Sequence, residues 1–439
     1  MARLLTQKEV YSIINGMVED ITGQESTINV VDTSTFISAG ELIQPYGTEN
    51  ILKSLGLMVG KILIESREYR GSFELIDALN TEEWTHIVEA ISFYNKKALP
   101  SGAWNTDLYK NLAPGFTNGQ NPDANDDPQS TKSMWEQHPG IPLVMYFAGS
   151  SVWDECITIY EVQLQQAFRS PDAFNEFVSG MLLEHNNDIE LEKEAFRRAI
   201  VLNHIAGTYD LSSVMPGSVI NMTEVFNDKY GTDYTTEQLL STYLKEFTAV
   251  YVSTIKGIVA KFKNKSSNYH WTPAKTIEGV SYPLLRSSDR STIKMFQYAP
   301  FWRDAEAMVM PELFNDRYLD IGNYEAIEFW QNENEPSKID VTPAIPDTDS
   351  TSGTYGTQIK GDRVQLDCVL GCVFDRLSMA SDFQLERVDA SPLEARKLYR
   401  NLWAHFSKNG INNFTHKACI LVAFDPSDSN SKAKKTTKK

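Results

Sequence analysis

The chain has 439 residues, 41% hydrophobic and 23% charged, with a formal charge of -17. This is the balance of a soluble globular protein with room for about two or three domains. The acidic excess disfavours general nucleic-acid binding, because phosphates would be repelled, and no run approaches the ~18 consecutive apolar residues of a membrane span.

Met1-Ala2-Arg3-Leu4-Leu5 opens the chain without the apolar core or cleavage site of a signal peptide. Val10, Ile13, Ile14 and Met17 predict a short helix, Asn50 to Met58 a second amphipathic piece, and Lys61-Ile62-Leu63-Ile64 the start of a strand. From about 65 to 150 the periodicity lapses. That region holds Trp84, Trp104, Trp135 and the polar, turn-forming run Asn121 to Pro128. A structureless insert of this length is uncommon inside a compact domain, so it reads as an extended arm that docks elsewhere. Ile141 to Phe147 then reads as a strand. Trp153 to Leu164 reads as another, with Cys156, Thr158, Tyr160 and Val162 on one face.

The strongest local signal follows. Ser170 can cap a helix, Pro171 suits its first turn, and Asp172 complements its positive end. Phe174, Phe177, Val178, Met181 and Leu182 form one apolar stripe, which Ile189, Phe196 and Ile200 extend. Gly207 is the expected stop. Such a helix is roughly 50 Å long at ~1.5 Å per residue, against an average of ~11–12 residues. Glu190, Glu192 and Glu194 are expected on its solvated side. It reads as the spine of a plate-like subunit.

Thr235 with Gln238 predicts a capping box opening a second helix through Leu240, Tyr243, Leu244, Phe247, Tyr251, Ile255, Ile258 and Phe262. Residues 270–350 complete an α+β lobe, and Pro343, Pro346, Gly353 and Gly356 mark a linker. Strands are expected at Val364 to Phe374, Phe383 to Val388, around Leu402 to Phe406, and from Phe414 to Phe424. The last nine residues hold five lysines and no acid, a flexible basic tail.

Catalytic patterns are missing. The sequence has no GxxxxGK[ST], HExxH, GxSxG or GxGxxG. Cys156, Cys368, Cys372 and Cys419 sit in apolar, strand-like settings and read as reduced core thiols. His185 and His204 read as helix-surface and helix-end residues, while His405 and His416 stand on adjacent predicted strands and could approach each other. Glu82-Glu83-Trp84 has the elements of a glycosidase or carbohydrate-binding site, a carboxylate pair beside a stacking aromatic, and supplies the rival reading.

The order of these segments resembles a tailed-bacteriophage major capsid protein of the Hong Kong ninety-seven type (Johnson fold), closest to the phi-twenty-nine-like podophages. The resemblance is carried by Phe36-Ile37-Ser38-Ala39-Gly40 with Leu42-Ile43 and Leu55 to Ile64. It continues through the Trp135-to-Leu164 return, Phe174-Asn175-Glu176-Phe177-Val178-Ser179, Phe374-Asp375-Arg376-Leu377, Leu402-Trp403-Ala404-His405-Phe406 and Ala418 to Phe424. It implies an α+β chain with an N-terminal arm and first strand (1–64) and an extended E-loop (65–150). Beyond these it implies a peripheral P-domain with the spine helix (151–208), an axial A-domain (209–362), closing P-domain strands (363–425) and a tail (426–439). No immunoglobulin-like domain is expected after Phe424, and no fused scaffolding domain in the arm. It further implies a structural protein rather than an enzyme, without cofactor or metal. Such a protein forms hexamers and pentamers of an icosahedral shell around double-stranded DNA, with a separate scaffolding protein and a portal as partners and no membrane. Assembly in the host cytoplasm and residence in the virion follow. Arg67, Trp84 and Trp135 are the nominated intersubunit contacts.

Overall fold

The computed structural model describes residues 7–22, 30, 35–39, 72–78, 88–95, 140–147, 151–160, 166–168, 170–277, 280–304 and 324–425. The expected pieces at Asn50 to Met58 and Lys61 to Ile64 lie outside them, as do Trp104, the Asn121 to Pro128 loop and the lysine-rich tail. The helices described in full are, in chain order, α1 (Gln7–Thr22), α2 (Pro171–Asp210), α3 (Met222–Tyr230), α4 (Thr236–Ser241) and α5 (Leu244–Phe262). The strands begin with β1 (Asp77–Ala78), β2 (Val88–Phe93), β3 (Pro142–Phe147), β4 (Ser151–Tyr160) and β5 (Val219–Asn221). They continue as β6 (Ala274–Ile277), β7 (Val280–Pro283), β8 (Ile293–Tyr298), β9 (Tyr324–Ile327), β10 (Ile339–Val341), β11 (Ala344–Pro346), β12 (Gln358–Lys360) and β13 (Val364–Leu366). The last are β14 (Val369–Asp375), β15 (Met379–Ala390), β16 (Tyr399–Asn412) and β17 (Ala418–Val422). The chain is a mixed α+β structure built on two larger sheets, ordered β1-β15-β16-β4 and β5-β17-β14-β8-β9.

Helix α2 begins as its sequence dictates: the Ser170 side chain accepts from the Ala173 N–H, Pro171 opens the first turn, and Asp172 lies in it. It does not stop at Gly207 but runs on to Asp210. The glycine serves packing instead. A Cβ there would meet the Phe414 ring at 2.5 Å, so only glycine lets the ring lie flat against the helix. That ring also stacks on the fully buried His204, with centroids 5.0 Å apart.

The two ends of α2 serve different cores. Phe174 at its start packs with α1 (Val10, Ile13, Ile14, Met17), Phe36, and Leu402, Ala404 and Phe406 of β16. Ile200, Val201, Leu202, Ile205 and Ala206 at its end pack on Cys372 and Phe374 of β14 and Ile420 and Val422 of β17. The opposite face of that five-stranded sheet, with Val373, Cys419 and Leu421, is covered by α5 through Phe247, Tyr251, Ile255 and Ile258. Hence β14 and β17 are buried along their whole length, as strands covered on both faces must be.

Several expectations are corrected. Glu190 and Glu194 are buried, not solvated: they pair with Lys193 at 2.8 Å and Arg198 at 2.6 Å, one turn on, while Glu192 pairs with Lys408 of β16 at 2.8 Å. The capping box at Thr235 and Gln238 is present, but it opens only the short α4, and the chain breaks at Tyr243 before α5. The supposed linker is a hairpin, β11 against β12, with Gly356 at positive φ in its connection. The strand foreseen from Val364 to Phe374 is two strands, and the one from Phe414 covers only Ala418–Val422. Cys156 is exposed on β4, whereas Cys372 and Cys419 are core thiols as expected and Cys368 is half-buried. His405 and His416 do not lie on neighbouring strands: β16 belongs to one sheet, and His416 precedes β17 in the other.

Two consequences can be measured. Gly207→Ala gains up to about 1 kcal/mol of helix propensity but forces the Phe414 ring aside, an overpacking cost of about 1–3 kcal/mol. A net loss in the urea midpoint is expected, and the loss should vanish in a Phe414→Leu background. Glu155, on the face of β4 beneath α2, is raised to about 7 by burial and by Asp188 and Glu192, against the opposing pull of Lys408. A folded value above the ordinary one means that its contribution is present at low pH and is lost as pH rises through about 7. Glu155→Gln should therefore melt higher than the parent at pH 8, by less than about 1 kcal/mol after solvent screening, with the difference gone at pH 5.

Candidate self-association surface

Strands β2 and β3 form a two-stranded antiparallel ribbon. Register pairs Glu89 with Tyr146, Ile91 with Val144, and Phe93 with Pro142 on one face, leaving Val88, Ala90, Ser92, Leu143, Met145 and Phe147 on the other. The second face is half-buried or better. The first is open: Phe93 is 61% exposed, Tyr146 67% and Ile91 59%. Four large apolar side chains thus stand side by side in water, counting Val144. Scattered exposed apolar residues are ordinary, but a contiguous set on one ribbon face marks a contact surface.

The ribbon's base is anchored. The Asn95 N–H donates to the Pro283 carbonyl at 3.1 Å, the Asn95 side-chain amide donates to the Pro283 and Leu285 carbonyls, and Arg286 donates to the Ser92 hydroxyl at 2.7 Å. Gly140 permits the turn of chain beside Phe93, whose ring a Cβ would meet at 3.1 Å.

A second exposed surface lies close in sequence. Among the described residues, strand β4 forms one end of the four-stranded sheet, paired with β16. Val152, Asp154, Cys156, Thr158 and Tyr160 alternate on its open face, and Tyr160 meets Tyr399 edge-on at 6.0 Å. The expected grouping of Cys156, Thr158 and Tyr160 on one face is therefore present, and that face is the uncovered one. Trp153, on the inner face, is half-exposed, with the Lys408 ammonium 4.0 Å above its ring.

The nominated contacts Arg67, Trp84 and Trp135 lie outside the described residues. Ile91, Phe93, Val144 and Tyr146 were not foreseen. The available signal was the unbroken apolar run Pro142 to Phe147: six residues without a polar face imply a strand meant to be covered on both sides. Among the described residues no three His, Cys, Asp or Glu side chains are placed to hold a metal ion, and no helix is long and apolar enough to cross a membrane.

No family model and no curated protein matches this sequence. Among solved structures, the chain is similar to one in the capsid structure of Staphylococcus phage Andhra, with a TM-score of 0.47 and 10% identity over 80% of this chain and 84% of that one. It is similar to a chain in the structure of the head fiber and inner core protein gp22 of bacteriophage P68, with a TM-score of 0.45 and 10% identity over 79% and 83%. For the capsid of cyanophage P-SCSP1u the TM-score is 0.40, with 9% identity over 81% and 89%.

Replacing exposed apolar residues changes the stability of a lone chain little, within about 0.5 kcal/mol. Phe93→Ser combined with Ile91→Ser should leave the melting temperature of the isolated chain within a degree or two of the parent. It should also lower its sedimentation-measured tendency to associate. A large fall in melting temperature would mean that the face is covered within the chain.

Proposed function

We propose that the chain is the major capsid protein of a tailed bacteriophage, a structural subunit that associates with copies of itself into pentamers and hexamers of an icosahedral shell around double-stranded DNA. The observation that carries this reading is the open apolar face of Ile91, Phe93, Val144 and Tyr146, on a ribbon anchored through Ser92 and Asn95. A two-stranded ribbon is marginal alone, and a second copy of the chain is the partner that would cover this face at every position of a closed shell.

The α2 helix supports the same reading. An element of 40 residues that serves two separate cores spreads a subunit over area instead of enclosing one volume. On this reading residues 1–64 are the N-terminal arm and first strand, 65–150 the E-loop, 151–208 and 363–425 the P-domain, and 209–362 the A-domain. Residues 426–439 form the basic tail. The order of segments further supports a place near the phi-twenty-nine-like podophages, a separate scaffolding protein and portal as partners, and assembly in the host cytoplasm before residence in the virion.

The test is assembly. The chain expressed with the separate scaffolding protein this reading requires should give closed shells by negative-stain electron microscopy. Ile91→Asp with Phe93→Asp should lower the yield of shells at least tenfold while leaving a folded subunit. Wild-type protein that stays monomeric with its scaffold at high concentration would overturn the reading.

A further inference from the structure

The ribbon's anchor is also a buried, charged corner of the chain. Arg286 donates to the Ser92 hydroxyl of β2 at 2.7 Å and to the Thr415 carbonyl at 3.3 Å, and its backbone exchanges two hydrogen bonds with Ser266. One buried carboxylate, Asp375 at the end of β14, faces the bases gathered there. It influences Arg286 and Lys417, and its Oδ1 lies 3.7 Å from Nδ1 of His416. His270 sits within the same field, its two ring nitrogens 2.8 and 2.9 Å from the Trp271 and Ser266 carbonyls. From α2, His204 stacks on Phe414 of the same loop as His416, and a charge on His416 opposes its protonation. Two groups charged at neutral pH, Arg286 and Lys417, and one carboxylate are thus held against three imidazoles, where loop 413–417, the end of α5, β14 and the ribbon meet.

We propose that this corner is a proton-operated latch: with the imidazoles neutral, Arg286 holds Ser92 and the ribbon stays docked, and protonating them releases the ribbon from its anchor. The physical cause is competition for Asp375. Asp375 stays in place, its oxygens accepting from the Leu377 N–H and the Thr292 hydroxyl, so a charged His416 takes up part of its field, and Arg286 loses that compensation while gaining positive neighbours at His416 and His270. The segment from Pro283 to Arg286, which also carries the Asn95 hydrogen bonds, then loosens, and the ribbon with it.

The sign follows from burial. Burial and Arg286 hold His416 down at about 4, burial holds His204 at about 4, and burial lowers His270, all from an ordinary value of 6.5. The open state therefore binds protons first. The closed state keeps its full advantage above about pH 6.5 and loses it as the pH falls toward about 4. That the latch governs a self-association face rests on the proposed function, whereas the latch itself does not.

Hydrogen exchange of the full-length isolated chain, held below the concentration at which it associates and corrected for intrinsic rates, tests it without requiring any shell. Between pH 7 and pH 4.5 the amides of β2 and β3 should lose protection at least tenfold while those of β14 and β17 keep theirs. His416→Gln with His270→Gln should abolish that loss. Because this double variant could fold poorly, Ser92→Ala provides a second arm: at pH 7 it should raise ribbon exchange about tenfold, the loss of one charge-assisted hydrogen bond. Ribbon protection unchanged by acid in the parent, an acid response identical in the double variant, or a Ser92→Ala ribbon as protected as the parent would each overturn the latch.

Discussion

The arrangement depends on one helix being shared by two cores. At ~1.5 Å per residue, the 40 residues of α2 span about 60 Å, and each end is fixed by a different set of side chains. Phe174 commits the first turn to α1 and β16, and the Ile200 to Ala206 stretch commits the last turns to the five-stranded sheet. Polar contacts then fix the register at the far end. The Asn203 side chain both donates to and accepts from the Ala344 backbone, and Asp210 accepts from the Asp362 N–H. A helix anchored in this way holds the two clusters of side chains at a fixed spacing. A hinge within it would uncouple them.

The second organising feature is electrostatic. Lys417 is fully buried, and its ammonium donates to the Phe262 and Asn264 carbonyls at 3.0 and 2.6 Å and to the Ser266 hydroxyl at 3.2 Å. These carbonyls lie at the C-terminal end of α5, where the helix dipole favours a cation and the last carbonyls have no partner within the helix. Burial lowers the lysine to about 8, so it remains charged at neutral pH. A buried charge is tolerated only where its hydrogen bonds are complete. That requirement ties α5, loop 413–417 and the start of β17 into one unit, and the ribbon is fastened to this unit through Arg286.

Local chemistry was readable in the sequence, and long-range placement was not. The start of α2 and the capping box at Thr235 are each decided within four residues, so each was legible. The break at Tyr243 was hidden because Leu240, Tyr243, Leu244 and Phe247 continue the helical period across it. Glu190 and Glu194 looked solvated because they are charged, as Glu192 is. What buries them is neutralisation by Lys193 and Arg198 one turn on, with Arg198 lying over Phe329 at 3.9 Å and Lys193 over Phe383 at 4.9 Å. Alternation along β4 defined two faces without saying which one is covered, and so Cys156 was assigned to the wrong one. Of the candidate contact surface, the sequence indicated only β3. The alternation of β2 is masked by Ala90 and Ser92, small residues that fit the inner face but do not announce it.

The ribbon and the β4 edge pose a common physical problem that a lone chain leaves unsolved. A ribbon of six residue pairs gains little from its own ladder, and its stability depends on burying at least one face. The inner face is partly covered, and the outer face places two aromatic and two aliphatic side chains in water. Strand β4 adds ten residues that, among the described residues, pair on one side, with an open face bearing Val152 and Tyr160. Proteins that remain single usually shield such edges with charge, proline or a bulge, and the open face of β4 carries one charged residue, Asp154, among its five. Surfaces of this kind make sense when each contact is modest and many are made at once. Subunits then stay soluble and reversible as monomers, yet hold firmly once neighbours engage every site together. The net charge of -17 opposes indiscriminate sticking between copies of the chain through mutual repulsion.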